Sequence, residues 1–294
     1  MGFAKQLVFG FEGKRPSSDF CRFIECAQPA GIILFERNLE DLCALKTTIA
    51  ELKGLSPGTL FMIDEEGGAK SRLRREHGFP NPPDPRIVAE TMHPSEAREA
   101  YRIAGEALCG LGIDVDLAPL ADIAPKDHIL GARVFSDKAD TCCEYITAVV
   151  EGLTAGGVRA CAKHFPGLGS AAIDPHLALS FAREEEDFSR HFAPFRAAVE
   201  AGVHYIMTTH LVAKQLDSSG ECATYSSKIV DLIRSDLGFK GEVISDDLFM
   251  TGASESISIA ERAMRCIGAG HDLALICKEF PNRLELLEQI DLRL

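Results

Sequence analysis

Eight short apolar runs recur along the chain, each followed by a stretch with helical spacing. The runs are QLVFGF (6–11), GIILF (31–35), TLFMID (59–64), GIDVDLAP (112–119), VRACAKHF (158–165), VHYIMTTHL (203–211), GEVISDD (241–247) and HDLALIC (271–277). They are nearly continuous in apolar residues instead of alternating, the pattern of parallel strands covered on both faces. The stretches between them have readable ends. Ser95 precedes a run that carries acids in its first turn and closes on Gly110 and Gly112. A second runs from Glu184 to Gly202 with an expected interruption at Pro194, a third opens at Ser226/Ser227, and a fourth opens at Ser254 or Ser256 and ends at Gly268. This alternation predicts βαβ units. Eight strands predict closure into a (β/α)8 TIM-type barrel, with a doubly wound open sheet as the alternative. No Pro- or Ser-rich linker divides the chain, so residues 1–294 are expected to form one domain. EHGFPNPPDP (76–85), with four prolines, is expected to be a loop crossing the barrel rim.

Composition narrows the function classes. Of the 294 residues 46% are hydrophobic, enough for a large core, and 26% are charged, near the globular average. The net charge of -13 disfavours nucleic acids and anionic membranes as partners, because both need clustered Lys and Arg. The first residues, MGFAKQLVFGFEGKRP, lack a signal-peptide pattern, and no stretch approaches the roughly 20 apolar residues of a membrane span. The ten cysteines include no CxxC and no zinc-type spacing. They are expected to be buried or half-buried free thiols in a reducing cytoplasm.

The chemical signal is positional. Asp64 ends the third run, Lys163–His164 the fifth, His210 the sixth and Asp246–Asp247 the seventh. In barrel enzymes that edge is the active-site face. The loop after the fifth run brings Asp174 and His176 two residues apart, so that the carboxylate can accept a hydrogen bond from the imidazole and fix its tautomer. A strand-end carboxylate such as Asp246 can attack an anomeric carbon. Its neighbour Asp247 points another way and is read as a cap or supporting acceptor.

These residues together resemble the glycoside hydrolase family 3 β-N-acetylhexosaminidases of the bacterial cell-wall recycling type. The resemblance runs through GIILFERNLE (31–40), IDEEGG (63–68), GIDVDLAPLADI (112–123), GARVF (131–135), KHFPGLG with DPH (163–169 and 174–176) and DLGFKGEVISDDLFM (236–250). It implies Asp246 as catalytic nucleophile, His176 as acid/base assisted by Asp174, and Asp64, Arg72, Arg133, Lys163 and His164 on the sugar. His210 is expected either to bind substrate or to buttress the pocket. The implied reaction is retaining release of terminal β-linked N-acetylglucosamine from muropeptide-type or chitooligosaccharide substrates, with no metal or organic cofactor. A glycoside phosphorylase and a catalytically retired sugar- or partner-binding barrel are the alternatives. The sequence departs from the family at Leu168, where a histidine is usual, at Pro175, where serine is common, and at Ala69-Lys70-Ser71. Leu168 is expected to remove a hydrogen-bonding group near the dyad, and Pro175 to stiffen the loop.

Overall fold

The computed structural model describes residues 2–73, 75–171, 173, 178–253, 256–280 and 283–291. In chain order the elements are β1 (Leu7–Gly10), α1 (Ser18–Ala27), β2 (Gly31–Leu34), α2 (Leu42–Leu55), β3 (Leu60–Ile63), α3 (Pro85–Thr91), α4 (Pro94–Leu111), β4 (Val115–Asp116) and α5 (Ala139–Ala155). They continue with β5 (Arg159–Phe165), β6 (Ser180–Phe181), α6 (Phe188–Glu200), β7 (Tyr205–Thr208), β8 (Leu211–Val212), α7 (Ser227–Ser235), β9 (Glu242–Asp247), α8 (Ile259–Gly268), β10 (Leu273–Ile276) and α9 (Arg283–Asp291). Strands β1, β2, β3, β4, β5, β7, β9 and β10 close into a barrel, every pairing parallel. Each of the eight apolar runs supplies one barrel strand, and the open sheet is excluded. Strands β6 and β8 form a separate two-stranded sheet.

Strand parity explains the layering. Val8, Ile33, Met62, Val115, Cys161, Met207, Ile244 and Leu275 point inward and fill the barrel. Their neighbours Phe9, Ile32, Phe61, Ala160, Ile206, Val243 and Ala274 point outward and pack beneath the helices. Both rows are buried, so the strands show no polar alternation. The helices cover them with one apolar stripe each; α4 buries Ala97, Tyr101, Ala104, Leu108 and Leu111 at three- and four-residue spacing. Side chains of Ser17, Asp41, Asp187, Ser226 and Ser258 cap five helix starts by accepting a backbone N–H.

Three local expectations change. Helix α4 starts two residues early: Pro94 occupies its first position, where a missing N–H is harmless, and His93 caps it in place of Ser95. Pro194 does not interrupt α6, because its buried face, with Phe192 and Phe195 beside it, is held against the barrel. Helix α8 opens at Ser258, a little after the expected serines. All ten cysteines are free as expected, but Cys26, Cys43 and Cys109 are exposed. The proline-rich loop does lie on the rim. Pro82 accepts from Gly68 N at 2.8 Å, and Asp84 accepts from Ala69 N at 3.0 Å, which ties the loop to the segment after β3. No described helix is long and apolar enough to cross a membrane.

Candidate active site

Extending the inward row by one residue pair, at or just beyond the C-terminal strand ends, gives the floor and walls of a cleft. Phe35 follows Ile33, Asp64 follows Met62, Lys163 follows Cys161, Asp246 follows Ile244, and Cys277 follows Leu275. All five line one cavity of about 300 Å³, together with Glu66, Arg72, Arg133, His164 and the rim residues Arg37 and Lys278. Parallel strands all end at the same barrel face, so strand parity turns scattered sequence positions into one site.

Its centre is an ionic network. Lys163 is 2% exposed and donates to Asp64 Oδ1 at 2.7 Å and to Glu66 Oε1 at 2.8 Å. Arg133 grips Glu66 with two parallel bonds, Nε to Oε2 at 2.7 Å and Nη2 to Oε1 at 2.8 Å. Burial alone would raise the Glu66 carboxyl, but Lys163 and Arg133 hold it well below the usual carboxylate range. The same acids overcome the desolvation of Lys163 and keep it charged. Arg72 reaches Asp64 only at 3.6 Å and stands 5.6 Å over the Phe35 ring.

Opposite this network lies Asp246. Burial pushes its carboxyl up, yet His164, His210 and Lys163, with the N–H of Asp247, bring it below its ordinary value. One oxygen, Oδ1, accepts from Asp247 N at 2.7 Å. Asp247 is committed differently, since its Oδ1 accepts from Phe249 N and Cys277 N, each at 3.0 Å. Desolvation raises its pKa despite those bonds. His164 turns Nδ1 toward Asp122 Oδ2 at 2.8 Å.

The structure thus brings Asp64, Arg72, Arg133, Lys163, His164 and Asp246 to one cleft. His210 is corrected as a substrate contact. It is fully buried and absent from the cleft lining; Nδ1 bonds Thr224 Oγ1 and Nε2 bonds the Asp247 carbonyl, both ring nitrogens being spent on protein. It buttresses the strand that carries Asp246. Asp174, Pro175 and His176 lie outside the described residues. Two residues were missed as individuals. Glu66 sat in view within IDEEGG, one residue pair beyond Asp64. Asp122 is an acid in the apolar run LAPLADIA, and an ionisable group in such a run needs a partner. Leu168 fills an apolar cluster with Leu120, Leu130, Val134 and Leu211, while its N–H bonds Asp122.

Barrel and cleft together define a (β/α)8 glycoside hydrolase. The family model for the glycosyl hydrolase family 3 N terminal domain matches residues 5–291, and the chain belongs to that family. It is 34% identical to the beta-hexosaminidase of Neisseria meningitidis serogroup B over 88% of this chain and 73% of that protein. It is 30% identical to the beta-hexosaminidase of Haemophilus influenzae over 97% of this chain and 83% of that protein. Among solved structures, a family 3 β-N-acetylglucosaminidase from Paenibacillus superposes with a TM-score of 0.92 at 31% identity; the match covers 99% of this chain and 57% of that one. NagZ from Neisseria gonorrhoeae, in complex with N-trifluoroacetyl-D-glucosamine, superposes with a TM-score of 0.85 at 30% identity, covering 97% of this chain and 84% of that one.

Proposed function

We propose that the chain is a retaining β-N-acetylhexosaminidase that releases terminal β-linked N-acetylglucosamine from muropeptide-type or chitooligosaccharide substrates. The observation that carries the reading is Asp246: a carboxylate kept ionised at a strand end, in the same cleft as a buried Lys–Glu–Arg network suited to sugar hydroxyls. Asp246 attacks C1 and forms a glycosyl ester. His176, supported by Asp174, protonates the departing oxygen and then deprotonates the water that cleaves the ester. Asp64, Lys163, Arg133, Arg72 and His164 hold the sugar through charge-assisted hydrogen bonds. The beta-hexosaminidase relatives and the neighbour bound to an N-acylated glucosamine support the choice of an aminosugar. A place in peptidoglycan recycling in the cytoplasm is part of the same proposal.

Phosphorolysis is the second reading. It is favoured by Arg72, whose Nε is buried with no hydrogen-bond partner among the described residues and whose contact with Asp64 is long. Release of 4-nitrophenol from the β-N-acetylglucosaminide but not from the β-glucoside, with free sugar as product in phosphate buffer, is the expected result. Sugar 1-phosphate as main product would establish the phosphorylase, and no turnover would establish a binding barrel.

A further inference from the structure

Asp122 lies on the segment after β4, does not line the cleft, and is fully buried. It nevertheless gathers two backbone N–H groups and an imidazole nitrogen from the end of β5 and the turn that follows it. Oδ2 accepts from His164 N at 3.2 Å and faces His164 Nδ1 at 2.8 Å, while Oδ1 accepts from Leu168 N at 2.6 Å. The two segments run side by side: Ala121 N donates to Lys163 O at 2.5 Å, and any Cβ at Gly169 would collide with the Ile123 carbonyl. His164 borders the cleft. Leu168 opens the short turn Leu168–Ser170, which leads into the loop carrying positions 174 and 176. The neck of that loop is closed by a bridge between Ala171 and Ala182 and by Arg183 N bonding Ser170 O at 3.1 Å.

We propose that Asp122 is a positioning residue that orients the cleft-facing imidazole of His164 and, through Leu168, fixes the root of the loop carrying Asp174 and His176. A carboxylate on Nδ1–H sets both the ring rotation and the nitrogen presented to the cleft. Two carboxylate oxygens serve three N–H groups. Asparagine has one acceptor oxygen, so Asp122→Asn keeps the volume but turns its amide N–H2 toward either Leu168 N or the His164 donors. The part concerning the loop rests on the hydrolase reading above; the part concerning the ring does not.

Long-range ¹H–¹⁵N spectra of the full chain labelled at histidine test the ring, with His164→Gln assigning the signal. The wild type should show His164 protonated at Nδ1, and Asp122→Asn should shift that signal while those of His210 and His271 stay in place. Steady-state rates test the loop. A β-linked di-N-acetylhexosamine needs a proton on its leaving oxygen, whereas a 2,4-dinitrophenyl glycoside needs almost none. Asp122→Asn should lower kcat on the disaccharide by about 100-fold, the scale of a catalytic group misplaced by an ångström, and lower it far less on the dinitrophenyl glycoside. An unprotonated Nδ1 in the wild type overturns the proposal whether or not the variant folds. Equal losses on both substrates overturn the part concerning the loop. If the wild type turns over neither substrate, the hydrolase reading falls and the spectrum alone decides the role of Asp122.

Discussion

Two strand ends in this barrel carry consecutive acids, and they divide the labour in the same way. After β3 come Asp64, Glu65 and Glu66; at the end of β9 come Asp246 and Asp247. After β3, Asp64 and Glu66 face the cleft and Lys163 while Glu65 between them anchors backbone; at β9 both acids border the cleft, but Asp247 gives its Oδ1 to backbone amides. Glu65 Oε2 accepts from Arg72 N and Leu73 N at 2.9 Å, as Asp247 Oδ1 accepts from Phe249 N and Cys277 N. The protonation behaviour follows. Glu66 is held low by Lys163 and Arg133, and Asp246 is brought below its ordinary value by His164, His210 and Lys163, whereas burial raises Glu65 to about 7 and raises Asp247 too. Backbone amides do not compensate a buried negative charge as a lysine does. Acids that look interchangeable in sequence are thus split by one residue of register into those held low by nearby side chains and those bound to backbone amides.

Exchanging the two kinds of acid breaks or sharpens that contrast. The largest effect belongs to Asp246→Asn, expected to lower kcat by at least about 10⁴-fold, the scale of losing an attacking group, with sugar binding retained. Asp247→Asn keeps the acceptor for both amides and should stay within about tenfold of wild type, since its Oδ1 is spent on backbone N–H groups. Comparable losses in both would erase the distinction at β9. Next comes Glu66→Gln, which leaves Lys163 and Arg133 short of charge in a buried site. Denaturant unfolding at neutral pH should show a loss of about 3–5 kcal/mol, the scale of breaking a buried ion pair.

The smallest effect is also the one with the opposite sign. The folded pKa of Glu65 is raised from 4.5 to about 7, so its protonated form is favoured in the native state. Its contribution is full below pH 4.5 and lost as the pH climbs through 7, amounting to about 3 kcal/mol by pH 8. Glu65→Gln retains an oxygen for Arg72 N and Leu73 N and removes that loss. Its thermal midpoint should therefore fall less than the wild type's between pH 5 and pH 8. A steeper fall would show that the charged form is the one the fold stabilises.

The barrel was legible because all eight strands are buried on both faces, and continuous apolar runs leave little room for another architecture. The cleft was legible as far as strand ends reveal it: Asp64, Lys163 and Asp246 each stand two residues beyond an inward-facing apolar side chain. Partnerships across the barrel were not. Glu66 meets Lys163 and Arg133 from 97 and 67 residues away, and Asp122 meets His164 across 42, separations that no local pattern encodes. His210 shows the same gap from the other side. A strand-end histidine reads alike whether it faces the cleft or, as here, a threonine hydroxyl and a carbonyl behind it. At Leu168 the sequence shows only a missing polar group, while its contribution is apolar contact with Leu120, Val134 and Leu211.

The most direct test of the account is to incubate the protein with a 2-deoxy-2-fluoro or 5-fluoro glycoside bearing an activated leaving group and to map the labelled peptide by mass spectrometry. A single covalent sugar is expected, carried by Asp246 and absent from Asp246→Asn. A label on Asp247 or Glu66, or turnover that passes through no covalent adduct, would contradict it.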